Sequence, residues 1–467
     1  MGYFRRIDAT YTEAQPARQA ARPAGSNELE TRVPIANPSP YGHMNNPSGW
    51  YRSYCLSLIF VVLVIAYIDR GIFGVILEPV KQEFGLSDLQ LGVLTGPAFA
   101  LFYALMGIPL ARWADVGNRR TVVALCLAVW SGMTALGGMA QNFLTLFLTR
   151  IGVGVGEAGA VPPTHSLASN YYPPTQHGKV ASILSFAALI GSFVGVILGG
   201  EVLKASTWRI TLMVVGIPGL LLAVVVFASL REPRQITRVP RPGEIFDASS
   251  RAVMRKLLAT KTYFQLLLTF ATVSFFTLGM PAFAIPFFQR SFELEVNIAT
   301  RSYGSAALVS TLIGTILAGI IVDRLARRDV AWKLRLPGLA CLIAAPIMAA
   351  ALLAPDYRLC LALYVVANTL VFMALPALYS AVYGVAHDSE RSMAIALLGL
   401  VTNLIGLGVG PVLIGAASDW LQPQFGSDSL RYALAGSVLF LAWASLHMLK
   451  GVRTYRQDYV AGDAASD

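Results

Sequence analysis

Four ionisable residues lie well inside stretches that are otherwise apolar: Asp69, Arg70, Arg150 and Glu157. A charge at the centre of a membrane helix costs roughly 2.5–3.5 kcal/mol on insertion scales, so such residues usually pair with one another or face a wet cavity. One interpretation is structural, with Asp69 paired to an arginine and the cluster holding two helices together. The functional hypothesis is that Glu157 or Asp69 takes up a proton, which switches Arg70 or Arg150 between carboxylate and substrate.

The heights of these residues in a membrane follow from a rise of about 1.5 Å per helical residue. Asp69 and Arg150 are expected at one level, roughly 20 Å from the cytoplasmic end of their helices. Glu157 is expected on the same helix face as Arg150, about 10 Å nearer the cytoplasm. Asp69 and Arg70 are therefore predicted to meet Arg150, with Glu157 below it along the same wall.

Twelve apolar segments position these charges, and each is close to the roughly 20 residues needed to cross a bilayer. Hydrophobic residues make up 55% of the 467 residues and charged residues only 13%. We predict an all-α membrane protein with 12 transmembrane helices in two six-helix pseudo-symmetric halves. The segments are 56–78, 89–112, 121–140, 144–167, 179–203, 209–230, 262–288, 301–323, 335–354, 359–383, 391–417 and 430–450.

The net charge of +10 lies mainly in alternate loops, which is the positive-inside pattern and predicts that both termini are cytoplasmic. The pattern favours contacts with membrane lipids over nucleic acid. The predicted localisation is multi-pass, in a bacterial inner (plasma) membrane. The predicted organisation is 1–50 as a disordered cytoplasmic tail, 51–230 as a six-helix bundle, 231–261 as a basic cytoplasmic linker, 262–450 as a second six-helix bundle and 451–467 as a cytoplasmic tail.

The two predicted halves share motifs. Each has an aspartate after its second helix, Asp115 or Asp323, followed by two arginines at plus four and plus five: Arg119 and Arg120, or Arg327 and Arg328. Gly191, Gly195 and Gly199 in segment 5 are matched by Gly406, Gly410 and Gly415 in segment 11. Small residues about four apart let helices approach closely, and we expect these rows to form the contacts between the halves. A 6+6 repeat with a central site is the architecture of many secondary transporters.

The loop motifs after segments 2 and 8 resemble the signature loop of the major facilitator superfamily. Three further motifs resemble its spinster family: Tyr67-Ile-Asp69-Arg70, Arg150-Ile-Gly-Val-Gly-Val-Gly-Glu157-Ala158 and Leu230-Arg-Glu-Pro233. The resemblance implies alternating access, proton coupling and a monomer, with Glu157 and Asp69 as coupling residues. It implies an amphipathic anionic substrate, such as a lysophospholipid or a sphingoid phosphate. The first loop departs from the family at Ala111, where glycine is usual, and at Val116, where arginine is usual.

The loop motif is predicted to act as a gate on the cytoplasmic side. We expect Asp115, Arg119, Arg120, Asp323, Arg324, Arg327 and Arg328 to form a latch that stabilises the outward-open state and breaks when the halves rock. Four polar residues in the second half are candidates for the cavity wall: Thr277, Tyr364, Asn368 and Asn403.

Several alternatives remain open from the sequence. The same arginine pair would hold the carboxylate of a small organic acid or drug. From another class, the chain could be a receptor or scaffold that has lost transport. No phosphate-binding loop, metalloprotease motif or nucleophile elbow is present, so we expect no enzyme activity. No metal or cofactor is predicted, and a proton gradient is the expected driving force for a small-molecule or lipid substrate.

Overall fold

The structure is a computed structural model that describes residues 48–233, 248–387 and 390–460. Most of the predicted N-terminal tail, residues 234–247 of the predicted linker and the last seven residues lie outside the described ranges. The side chains of Asp115 and Val116 are also outside the description.

The first six membrane helices follow the predicted segments, and two of them are interrupted. Helix α2 breaks at Gly96, and α4 breaks after Ala158. The helices are α1 (Gly49–Val75), α2 (Asp88–Thr95 and Pro97–Val116), α3 (Arg119–Gly137), α4 (Phe143–Ala158 and Val161–Tyr171), α5 (His177–Ala205) and α6 (Trp208–Ser229).

The second six helices repeat this arrangement, with two π-helical stretches in α7 and α11. A π-helix has i→i+5 hydrogen bonds and occurs often at functional sites. The helices are α7 (Lys261–Ser274, π Phe275–Gly279, Met280–Phe292), α8 (Val296–Ala326), α9 (Trp332–Leu352), α10 (Tyr357–Val385), α11 (Arg391–Val401, π Thr402–Val409, Gly410–Phe425) and α12 (Ser429–Ser437 and Leu439–Asp458).

Length and apolar composition identify 11 stretches of the described chain that are suited to cross a membrane. The last stretch, Met393–Asp458, has 66 residues, which is about three times the length of one crossing. It contains both α11 and α12, because the chain turns at Gly426, where φ is 54°. The predicted fold of twelve membrane helices is therefore confirmed.

The ends of the helices divide the protein into two sides. We call the side where α1 begins and α12 ends the termini side. There, the Tyr51 hydroxyl donates to the carbonyl of Ser229 at the end of α6, and the Thr262 amide donates to Asp458. The other side is called the opposite side, and it holds the short helix Leu77–Phe84 between α1 and α2 as well as the turn between α7 and α8.

The glycine rows do not act as predicted, because most of their contacts lie within a half. A Cβ at Gly191 or Gly195 in α5 would lie 2.6 Å from a carbonyl oxygen of α1, and a Cβ at Gly406 in α11 would lie 2.6 Å from the carbonyl of Ser274 in α7. These rows therefore fix α5 on α1 and α11 on α7. Only Gly415 faces the other half, where a Cβ would lie 2.2 Å from the carbonyl oxygen of Asp88. The prediction failed because periodic small residues indicate a close approach but not the partner helix.

Candidate functional site

The four predicted charges form two ion pairs that cross from α1 to α4. Arg70 Nε lies 2.6 Å from Glu157 Oε2, and Arg150 Nη1 lies 3.3 Å from Asp69 Oδ1. Arg70 thus pairs with Glu157, below the level of Arg150, because the long arginine side chain reaches along the wall toward the termini side. The four residues lie close together, as predicted. The helix heights did not indicate which arginine pairs with which carboxylate.

The two pairs differ in their access to solvent. The side chains of Asp69, Arg150 and Glu157 are at most 6% exposed, whereas that of Arg70 is 27% exposed. The hydroxyl of Thr134 on α3 also donates to Asp69. The Asp69–Arg150 pair is therefore enclosed by protein, and Arg70 is the member of the cluster that a ligand can reach.

Aromatic rings surround both guanidinium groups. Arg70 Cζ lies 5.2, 5.0 and 5.2 Å from the ring centres of Tyr67, Phe99 and Tyr103. Arg150 Cζ lies 4.1 Å from the ring centre of Phe73 and 5.5 Å from that of Phe99. A cation within about 6 Å of a ring face is attracted by the ring quadrupole. These rings hold the arginines in place without neutralising them, so both keep their positive charge and the partly exposed Arg70 can still bind an anion.

Glycines in α4 set the position of Glu157. A Cβ at Gly154 would lie 2.6 Å from the carbonyl oxygen of Phe99 on α2, and a Cβ at Gly156 would lie 2.7 Å from the amide nitrogen of Trp130 on α3. The short spacing of these glycines lets α4 lie directly on both helices. Glu157, the next residue, is then fully buried.

Glu157 is incompletely satisfied. Its Oε2 accepts the hydrogen bond from Arg70, while its Oε1 has no hydrogen-bond partner among the described residues. A buried carboxylate with only one partner depends strongly on that partner, because removing the countercharge leaves an uncompensated buried charge. The charge state of Glu157 and the position of Arg70 are therefore linked.

The predicted cavity residues of the second half have partners inside that half. The ring of Tyr364 lies 5.5 Å from the ring of Tyr303, and the Asn368 amide donates to Ser310 Oγ on α8 at 2.7 Å. Thr277 and Asn403 lie in the two π-helical stretches and donate to carbonyls of their own helices, at 3.1 and 2.8 Å. In this state, Tyr364 and Asn368 are buried core residues. Their exposure to substrate stays a prediction.

The loop motifs on the termini side have different surroundings in the two halves. Arg119 pairs with Glu232 at 2.9 Å and donates to Ser166 Oγ at 2.7 Å, so it joins α3, α4 and the segment after α6. Asp323 is exposed, as are the three arginines of its motif: Arg324, Arg327 and Arg328. Arg120 Cζ lies 5.0 Å from the ring of Phe227, and the Asp115 side chain lies outside the description. These contacts of Arg119 and Arg120 all lie within the first half.

A second termini-side cluster ties α12 to the loop after α8. Asp329 Oδ2 accepts a hydrogen bond of 2.5 Å from Arg456 and one of 3.2 Å from Arg335. The bond from Arg456 lowers the pKa of Asp329 to about 2, and the amide of Ala331 contributes. This cluster lies in the second half alone.

An unpredicted cluster joins the halves on the opposite side. Arg290 on α7 donates to both carboxylate oxygens of Asp88 on α2, at 2.8 and 3.0 Å, and to Glu78 at 2.8 Å. Lys81 Nζ lies 2.5 Å from Asp88 Oδ1. Asp419 on α11 accepts from the backbone amides of Asp88 and Leu89, at 2.9 and 2.8 Å. We call Asp88, Arg290 and Asp419 the opposite-side latch.

Two more ion pairs join the halves on that side: Lys204–Glu295 at 2.8 Å and Arg301–Glu201 at 2.5 Å. On the termini side, Arg119–Glu232, Lys256–Glu390 and Arg456–Asp329 each lie within one half. In this structure, ion pairs between the two halves therefore close the opposite side. The capping box of Ser87 and Gln90, which marks the start of α2, was the sequence signal that could have identified Asp88 as a helix-start carboxylate.

Comparisons with known proteins agree with this architecture. The sequence profile described as Major Facilitator Superfamily matches residues 59–411. An MFS-type efflux pump of Mycolicibacterium smegmatis is 28% identical, covering 87% of this chain and 94% of its own. Protein spinster homolog 1 of Xenopus laevis is 26% identical, covering 84% of this chain and 79% of its own.

Among solved structures, a bacterial homolog of the human lysosomal transporter spinster, in an inward-facing and unoccupied conformation, is 30% identical with a TM-score of 0.80. The match covers 89% of this chain and 99% of that one. The chain is a membrane transporter of the major facilitator superfamily. Within the superfamily it belongs to the spinster type.

Proposed function

We propose that this transporter carries an amphipathic anion by alternating access, coupled to protons at Glu157. The observation that carries the proposal is the Arg70–Glu157 pair, a partly exposed cation on a fully buried carboxylate. An arriving anion competes with Glu157 for Arg70. Once the guanidinium turns to the substrate, the buried carboxylate loses its countercharge and takes up a proton, because ionised carboxylates are unfavourable without water or a partner.

The distribution of charge supports an amphipathic substrate. The anion-binding wall lies in the first half, with aromatic rings around Arg70 that present flat apolar surfaces. The charged residues of α7, α8, α10 and α11 lie near helix ends, as Arg290, Asp323, Arg358 and Asp419 do. An anionic head would therefore bind the first half, while an apolar tail would contact the second.

The second candidate substrate is a small organic acid or drug. Arg70 would bind a carboxylate as it binds Glu157, and the relatives include a hexuronate transporter of Bacillus subtilis, 24% identical, as well as the mycobacterial efflux pump. A hydroxylated acid would need several hydrogen-bonding groups on the cavity wall that faces its hydroxyls, which the second half would form. Tyr364 and Asn368, two of the four polar candidates in the second half, contact other residues of that half. This favours the amphipathic anion.

We also propose that the termini side is cytoplasmic, as the basic loops indicate, and that the structure is inward-facing. The opposite-side latch and the likeness to an inward-facing spinster homolog support this state. The exposed Asp323 fits a gate that closes only when the halves rock toward the outward-open state.

The test is flux in proteoliposomes under an imposed pH gradient, with labelled lysophospholipid and a labelled small organic acid. The comparison is wild type, Glu157→Gln and the control Glu83→Gln, which removes a half-exposed carboxylate paired to Arg209 within the first half. We expect gradient-driven lipid flux that Glu157→Gln abolishes and Glu83→Gln keeps. Flux of the small acid but not of the lipid would overturn the proposed substrate class. Flux that ignores the gradient, unchanged by Glu157→Gln, would overturn the coupling.

A further inference from the structure

A crevice of about 490 Å³ lies between α1 and α5 on the termini side, away from the Arg70–Glu157 pair. Pockets that hold small ligands range from about 300 to 1,000 Å³. Its apolar wall includes Leu56, Phe60, Val61 and Ile183. Its size and lining suit the first carbons of an acyl chain.

The crevice lies along the same helix pair that is closely packed deeper in the membrane. In the middle of the membrane, Gly191 and Gly195 bring α5 against the backbone of α1. Nearer the termini, a gap lies between the two helices, and Phe60 and Ile183 are among the residues that line it. The gap is therefore built into the packing of one half.

The mouth of the crevice lies at the level expected for lipid headgroups. Trp50, at the start of α1, is 75% exposed and stacks on Tyr54 with ring centres 5.8 Å apart. Exposed Trp and Tyr at helix ends mark the membrane interface. The crevice begins beside this pair at Ser53 and continues along α1 into the apolar layer.

One cation lines the crevice. Lys179 lies in the first turn of α5 and is exposed, and within the described ranges no carboxylate lies within 4 Å of its Nζ. Gln176 and Ser57 add polar groups to the same lining. A lysine ammonium above an apolar slot complements a phosphate attached to an acyl chain.

We propose that this crevice binds one anionic phospholipid of the surrounding leaflet. Its phosphate contacts Lys179, and one acyl chain lies between Phe60 and Ile183. The crevice shares no lining residue with the Arg70–Glu157 cluster, so the proposal does not depend on which substrate the protein carries.

The test is native mass spectrometry of the full-length protein, titrated with phosphatidylglycerol or phosphatidylcholine. Wild type is compared with Lys179→Gln and with Lys450→Gln, an exposed lysine in α12 near the termini side. We expect one tightly bound phosphatidylglycerol. Lys179→Gln should weaken that binding about five-fold, the effect of one cation near a membrane surface, while Lys450→Gln leaves it unchanged.

A second variant tests the apolar wall. Ile183→Ser should weaken phosphatidylglycerol and phosphatidylcholine alike, with thermal unfolding confirming that the variant folds. Equal losses in Lys179→Gln and Lys450→Gln would overturn the proposal, because they indicate diffuse attraction to the surface. Displacement of phosphatidylglycerol by inorganic phosphate at millimolar concentration would also overturn it, in favour of a site for soluble anions.

Discussion

Arg290 and Asp88 form a two-pronged ion pair between α7 and α2, with N–O distances of 2.8 and 3.0 Å. The residues belong to different halves, and both side chains are at most 12% exposed. Bidentate arginine–carboxylate pairs are strong and directional. This pair can exist only while the halves meet on the opposite side, so it stabilises the observed state relative to its alternative.

Asp88→Asn should therefore shift the protein toward the state that is open on the opposite side. Breaking one partner of a buried pair costs up to about 3–5 kcal/mol, and the loss falls on this state alone. Spin labels at the exposed positions Gln141 and Leu353, near the opposite-side ends of α4 and α9, would report longer distances. Glu83→Gln, which breaks a pair within one half, should leave the distances unchanged. Identical distance distributions in Asp88→Asn and wild type would rule out a latch.

Gly92→Ala should have the same effect through contact alone. A Cβ at Gly92 would lie 2.4 Å from the carbonyl oxygen of Pro411 on α11, so the halves cannot close fully on the opposite side. Gly107→Ala is a matched control on the same helix, because no neighbouring atom would lie within 4 Å of its Cβ. The distance between the spin labels at Gln141 and Leu353 should increase in Gly92→Ala only. If both variants match wild type, the backbone contact between α2 and α11 does not limit closure.

Thr134→Val should destabilise the protein by about 1–3 kcal/mol, the usual cost when a buried carboxylate loses a donor. Thr134 is the hydroxyl that supports Asp69 from α3. Thr149→Val is the control. It removes a hydrogen bond to the carbonyl of Leu146 on the same helix, so it should destabilise the protein less than Thr134→Val does. Thermal unfolding in detergent measures both. Equal shifts in melting temperature would mean that Asp69 does not depend on Thr134.

Arg70→Gln and Arg150→Gln should both lower stability, because each removes the partner of a buried carboxylate, but only Arg70→Gln should also remove the cation that an anionic substrate can reach. Arg70 is the accessible cation, so its loss should abolish the thermal stabilisation that an anionic substrate gives the wild type. Arg150 is 6% exposed and paired to buried Asp69, so its loss should cost about 3–5 kcal/mol of stability. A substrate-induced stabilisation that survives in Arg70→Gln would place the anion elsewhere.

Asp323→Asn tests the predicted latch on the termini side. Asp323 is exposed in this state, so the substitution should leave its packing intact. If Asp323 closes the termini side in the other state, the variant should shift the protein toward the observed one, shortening the distance between labels at Gln141 and Leu353. A shift in the opposite sense would contradict the predicted role.

Much of the fold and the central cluster could be predicted from the sequence, because burial of charge in lipid is restrictive. Charged side chains inside the membrane must pair or face water, and this predicted contacts among Asp69, Arg70, Arg150 and Glu157. The pairing of Arg70 with Glu157 required the structure, since it depends on how Gly154 and Gly156 seat α4 on its neighbours.

The opposite-side latch could not be predicted in the same way. Asp88, Arg290 and Asp419 lie near helix ends, where charged residues are common and carry little information. Asp88 and Asp419 are separated by 331 positions, and their contact depends on how α2 packs on α11. The π-helical stretches were also missed, because an apolar run has no feature that distinguishes i→i+5 from i→i+4 bonding.

The composition of the central cluster has a consequence for the membrane potential. Two carboxylates and two guanidinium groups sum to zero formal charge. If a monoanion binds Arg70 as Glu157 takes up one proton, the loaded cluster also sums to zero. Moving one elementary charge through 100 mV is worth about 2.3 kcal/mol, and neither form of the carrier would incur it. Such a cycle responds to the difference in pH across the bilayer and is indifferent to voltage.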